Sequence, residues 1–339
     1  MKITFLCPHL RIAGGVRAIL TYADRLAGRG HQVEVIVPER PSGRFWRPRR
    51  QGQLAWMPGC RAGIHVVPEW IPAELPDADA VVATAWQSAP TVAAAPASRG
   101  DKFYLVQHYE SLYHGEPSVV DATYRLPLRK IVISTWLRDI MRARFASEAD
   151  VVVTPVDGGL FRVVPVTVTG LRPRVLMLHH DYPWKGVVDG LEAVARARAR
   201  GARLQLVGFG VKTPRDRLPY DEFHPDLPQH DLAALYSGAD IYLCPSWDEG
   251  LGMPSMEAMA CGAALVTYDN GGCRDYAVEG VTALVARRRD VDDLATKLAR
   301  LVLDTAQRAR LAAAGRELIT TAFDWDRAVT RMEMILGAA

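Results

Sequence analysis

Short apolar runs rich in β-branched residues recur through the first 155 positions, at 3–7, 33–37, 64–67, 80–84, 103–107, 131–133 and 151–153. Gly, Pro or Asp bounds them, so each predicts a buried strand. Between the first two runs, Val16, Ile19, Leu20, Ala23, Leu26 and Ala27 share one helical face, and Gly30 closes that helix. Strand–helix–strand alternation requires crossovers and hence a mostly parallel sheet. Residues 156–173 break the pattern with glycines and two prolines, Pro165 and Pro173, and predict a linker. Beyond it the alternation restarts, with strands at 174–178, 204–207, 241–244 and 264–267 and helices at 186–200, 231–237 and 254–261. The pattern predicts an α/β protein of two Rossmann-like, doubly wound domains facing a cleft, with ligands outside the carboxyl ends of the strands. The expected domains are 1–165, 170–322 and a closing helix, 323–339, capped by Asp324 and packed back across the linker onto the first domain.

A chain of 339 residues suits two domains. Its 49% apolar and 23% charged residues exclude intrinsic disorder. With 41 Lys+Arg against 38 Asp+Glu, the net charge of +3 indicates no nucleic-acid partner. No apolar run reaches spanning length. The run at 3–7 ends at Pro8, too short for a signal-peptide core, which points to the cytoplasm. Five cysteines without a CxxC pair read as reduced, mostly buried thiols, and their spacing supports no metal site.

Residues 42–63 stand apart, with five arginines beside Phe45, Trp46 and Trp56 and no periodicity. They read as a solvated mobile loop, a membrane-surface contact at the inner face, or a lip gripping an anionic acceptor.

The chemistry concentrates in YLCPSWDEGLGMPSMEAMACGAALVTYDNGG. A strand ends, a polar loop follows, and Pro254 marks a helix start, since proline is tolerated in a first turn. Gly250 and Gly252, flanking Leu251, leave backbone amides uncovered before that helix, an anion site suited to a diphosphate. Glu249 on the loop and Glu257 one turn into the helix can each accept hydrogen bonds from sugar hydroxyls.

The Glu-x7-Glu spacing in EGLGMPSMEAMACG resembles the signature of the retaining glycosyltransferases of family 4, which have the GT-B architecture. LVGFG (Gly208–Gly210), TPVDGGLF, DLAALYSGADIYLCPS and FDWDRA are similar to that family too, so the resemblance covers most of the second domain. It implies that Glu249 contacts the donor sugar and Glu257 the ribose, and that Lys185 in HHDYPWKG neutralises the leaving diphosphate. It places His180 where an arginine is usual. Either protonated His180 substitutes, another arginine does, or the diphosphate is held less tightly. Gly14 and Gly15 match a loop that approaches donor phosphates or acceptor, although a GG turn alone is equally a tight turn. His108, at the end of a strand, falls where the family often has an important histidine, and also reads as a structural one. The string from Gln107 onward is similar to bacterial polysaccharide enzymes including rhamnosyltransferases, which would have Tyr109, Glu110 and Tyr124 shape or brace the acceptor side.

Two DxD patterns, Asp77–Asp79 and Asp324–Asp326, fall on a strand-entry loop and a helix cap, wrong places for a metal at the donor. The resemblance thus implies transfer of a hexose or deoxyhexose from a nucleotide-diphosphate sugar to a hydroxyl of a glycan or small acceptor, with no cofactor and no metal, in cell-surface polysaccharide or glycoconjugate synthesis. An epimerase or phosphorylase on the same fold, or a non-catalytic nucleotide-sugar-binding protein, is the alternative.

Overall fold

The computed structural model describes residues 1–11, 13–39, 54, 56–167, 170–214 and 218–337. Most of the arginine- and tryptophan-bearing stretch, 42–53 and 55, lies outside them. Of its described part, Trp56 donates its indole N–H to Leu10 O at 3.2 Å.

The chain divides into two compact units, Met1–Thr154 with Asp326–Ala339, and Pro155–Trp325. Among the described residues, the first holds seven strands: β1 (Lys2–Leu6), β2 (Gln32–Pro38), β3 (Gly63–Val67), β4 (Ala80–Ala83), β5 (Asp101–Val106), β6 (Arg129–Val132) and β7 (Ala149–Val151). All pair in parallel in the order β3-β2-β1-β4-β5-β6-β7. Helices α1 (Gly14–Gly28), α2 (Ala89–Ala94), α3 (Pro117–Tyr124) and α4 (Thr135–Phe145) connect them. Strands covered on both faces must be apolar on both, which is why β4 is AVVA with every residue buried.

The second unit repeats the plan. Its strands β8 (Arg174–Leu178), β9 (Gln205–Gly210), β10 (Glu222–Pro225), β11 (Ile241–Cys244), β12 (Ala264–Tyr268) and β13 (Ala283–Ala286) are parallel in the order β10-β9-β8-β11-β12-β13. Around them run α5 (Val187–Ala199), α6 (Gln229–Ser237), α7 (Met253–Ala260), α8 (Val291–Leu303) and α9 (Thr305–Ala322). The core forms where α5 and α8 press Ala193, Val194, Ala197, Leu294, Leu298 and Leu301 onto β8, β11 and β12. Helical spacing of those residues supplies the apolar stripe.

The chain changes units at Thr154 rather than near 165. The reason is Phe161: it is buried against Tyr236 of α6 (ring centroids 6.0 Å apart), and Val164 N–H donates to Ser237 Oγ at 3.1 Å. The glycine-bearing stretch after 155 is therefore packed onto the second unit. The last helix, α10 (Trp325–Gly337), joins the first unit. Arg29 donates to Thr330 Oγ1, Glu333 Oε2 and Asp326 O, Arg129 to Ile335 O, and Arg331 to Asp150. Val329, Met332, Ile335 and Leu336 are buried beneath. Among the described residues, no helix is long and apolar enough to cross a membrane.

Candidate active site

Strand order in the second sheet reverses between β8 and β11, so the loops after these strands diverge and open a crevice at their carboxyl ends. The loop after β8 carries His179, His180 and, in a short turn at Pro183–Lys185, Lys185. Gly186 follows with φ 66°, and a Cβ there would collide with the Pro245 carbonyl oxygen, so only glycine brings the two loops this close. The loop after β11 carries Ser246 to Gly252.

The two loops meet through Lys185 Nζ, which donates to Glu249 Oε1 at 2.7 Å. The side chains are 20% and 11% exposed, a largely desolvated pair in which removing one partner strands the other's charge. Glu249 is also fixed through its backbone: its N–H donates to Asn270 O at 2.9 Å, and its carbonyl accepts from Gly272 N–H at 3.1 Å. A Cβ on Gly272 would stand 2.6 Å from both Glu249 O and Leu251 N, so this glycine lets the 249–251 loop rest on the turn after β12. Leu251 is buried, and Gly252 takes φ 90° as it opens α7, its carbonyl accepting from Tyr276 OH at 3.2 Å. Glu257 is buried on α7, its Oε2 accepting from Tyr236 OH at 3.2 Å. Lys185, Ser246, Glu249, Gly252 and Ser255 line one small cavity. Sequence reasoning missed the brace on the far side of the loop. Arg288 donates to both oxygens of buried Asp248 at 2.6 Å, and Trp247 Nε1 donates to Asp189 Oδ2 at 2.9 Å. Asp248 and Arg288 lie 40 positions apart, so no local pattern announces the pair.

His180 departs from one expectation. Tyr182 N–H donates to its Nδ1 at 3.1 Å, which requires that nitrogen to be unprotonated and leaves the proton on Nε2. Burial first, then the Lys185 ammonium, hold the ring's pKa below the ordinary histidine value. His180 is a neutral donor here, not a protonated substitute for arginine. Gly208 is explained by packing: a Cβ would stand 2.7 Å from the rings of Tyr220 and Phe223.

In the first unit, α1 begins at Gly14, and a Cβ on Gly15 would be 3.3 Å from the Gln107 side chain. The helix start thus lies beside the residue before His108, at the carboxyl end of β5. Next to it, Glu110 Oε2 accepts from Trp86 N–H at 2.9 Å and Tyr104 OH at 3.4 Å, and burial raises its pKa to about 7. Tyr109 and Tyr124 are buried, their rings 5.9 Å apart, and act as bracing.

Both DxD patterns serve surface ion pairs or backbone contacts. Asp77 pairs with Arg99, Asp79 accepts from Lys2 N–H at 2.7 Å, and Asp326 faces Arg25 and Arg29. Among the described residues, no group of three His, Cys, Asp or Glu is placed to hold a metal ion. The five cysteines are free thiols, and burial pushes Cys7, Cys261 and Cys273 up to about 12.

Residues 168–318, which carry this crevice, match the family model of the glycosyl transferases group 1. The match lies within the second unit and covers less than half of the 339-residue chain. A GDP-mannose-dependent alpha-(1-6)-phosphatidylinositol monomannoside mannosyltransferase of Mycobacterium tuberculosis is 30% identical over 59% of this chain and 60% of its own length. The O-antigen biosynthesis protein RfbC of Myxococcus xanthus is 28% identical over 95% of this chain but only 26% of its own. The chain thus spans 60% of the first relative's length and about a quarter of the second's. Sucrose-phosphate synthase from Thermosynechococcus elongatus superposes with a TM-score of 0.80 at 18% identity, covering 98% of each chain. Anabaena Alr3699/HepE in complex with UDP-glucose superposes at 0.74 and 16% identity, covering all of both. These likenesses show the fold, GT-B.

Proposed function

We propose that this chain is a retaining, metal-independent glycosyltransferase. It moves a hexose or deoxyhexose from a nucleotide-diphosphate sugar to a hydroxyl of a glycan or small acceptor, in cell-surface polysaccharide or glycoconjugate synthesis. The observation that carries this reading is the Lys185–Glu249 contact at the point where strand order reverses. An ammonium there neutralises the departing diphosphate, and the adjacent carboxylate accepts hydrogen bonds from the sugar. Glu257, one turn into α7, takes the ribose hydroxyls. The amides before α7 face the phosphates, and the α1 start with His108 serves the acceptor. The relatives' names support transfer onto glycans or lipid-linked inositols, and the neighbour with UDP-glucose supports the donor class.

The test is turnover with a panel of sugar nucleotides and acceptors in the presence of EDTA. Glu249→Gln keeps an amide oxygen for Lys185 and is expected to lose about a hundredfold in kcat. Full activity in that variant, donor consumed without acceptor, or activity abolished by EDTA would each overturn the corresponding part of the reading.

A further inference from the structure

Among the described residues, two lysines and two carboxylates gather where β8 ends. Lys185 is committed to Glu249 in a largely buried pair. Lys212, on the loop after β9, donates to Asp181 Oδ2 at 2.8 Å, and these side chains are 70% and 56% exposed. The β9 loop is pinned over the end of β8. His179 N–H donates to Phe209 O at 2.7 Å, and Gly210 leaves no room for a Cβ, which would lie 2.5 Å from His179 O. Lys212 is therefore two residues from a fixed point beside His179, and its ammonium rests on the residue next to His180.

Counting formal charge among the described residues at this end of β8, Lys185 cancels Glu249 and Lys212 cancels Asp181. His180 adds none, because Tyr182 N–H occupies its Nδ1. A nucleoside diphosphate brings several negative charges to a set of side chains that sums to zero. Lys185 meets it only by sharing its ammonium with Glu249. Lys212 is under no such constraint, since an exposed ion pair contributes little and is readily exchanged. Its compact charge on a flexible stem suits a phosphate oxygen whose position is set by other groups.

Building on the diphosphate reading above, we infer that Lys212 is a second cation, beside Lys185, of the diphosphate subsite, exchanging Asp181 for a phosphate oxygen when the nucleotide binds. His180 donates its neutral Nε2–H alongside. Asp181 keeps Lys212 beside the crevice in the empty protein, and its own charge opposes the phosphate.

The experiment is calorimetric titration of the full chain with UDP, GDP, ADP and dTDP and with the matching nucleosides, at low and high salt. Lys212→Ala is expected to weaken the diphosphate that binds by about tenfold and to flatten its salt dependence. It should leave nucleoside affinity and melting temperature unchanged. Lys212→Arg should restore binding, and Asp181→Asn should bind as tightly as the parent or more so. Unchanged diphosphate binding in Lys212→Ala, or an equal loss in Asp181→Asn, overturns the assignment and makes the pair a loop brace. Loss in Lys185→Ala without loss in Lys212→Ala keeps the glycosyl-transfer reading and removes Lys212 from it. A parent protein that binds none of the four diphosphates overturns both.

Discussion

Glu110 is a carboxyl group whose surroundings hold its proton to about pH 7, because burial strips water from its charged form. In the unfolded chain it titrates near the ordinary 4.5. Between these two values the unfolded state loses a proton that the fold keeps, so stability is full below about pH 4.5 and falls as pH rises toward 7. Glu110→Gln removes that penalty, with a gain of at most about 3 kcal/mol above pH 7. Melting curves of parent and variant should coincide near pH 4.5, separate in favour of glutamine up to pH 7, and stay parallel beyond. Parallel curves across the whole range would show that the carboxyl ionises freely in the fold. The glutamate stands on a strand-end string of aromatic residues that a reader of the sequence sees, but its raised pKa is invisible there. It comes from burial within the fold, which outweighs the hydrogen bonds from Trp86 N–H and Tyr104 OH that by themselves favour the carboxylate.

Elements were more legible than their junctions. All seven apolar runs of the first half are strands, with ends displaced by at most two residues, and the inner strands β1, β4 and β5, largely buried on both faces, leave the most uninterrupted apolar signature. Edge strand β10, with sequence EFHP and no buried residue, leaves none. Helix α8 did carry a signal, in the spacing of Leu294, Leu298, Leu301 and Val302, although only the last helix stood out in that region. In the candidate site, Glu249, Lys185 and Glu257 were reached through a family resemblance. Their mutual geometry depends on long-range contacts such as Gly272 beneath the 249–251 loop. Gly272→Ala tests that support. Its Cβ would meet backbone atoms that have no rotamer to yield, so the loop must shift, costing about 1–3 kcal/mol of stability. Turnover should fall further than that loss of folded protein accounts for. A variant with parental kcat would mean the loop finds its geometry without the turn after β12.

At the scale of the molecule, the first unit is built from both ends of the described chain, with the second unit inserted between Thr154 and Asp326. Removing residues 326–337 should uncover the apolar surface under Val329, Met332, Ile335 and Leu336 and loosen the first unit, while Pro155–Trp325 keeps its own core. Limited proteolysis of the truncated chain should cut first within 1–154. Equal resistance in both units would show that α10 is dispensable to the sheet it covers. The same interleaving sets an order of events on the ribosome. The inserted unit is whole once residue 325 has emerged, whereas the earlier-made strands wait, through 171 further residues of translation, for the helix that seals them. At about 5–20 residues per second that wait lasts on the order of 10–30 s, long enough for an uncovered sheet to need a chaperone's protection.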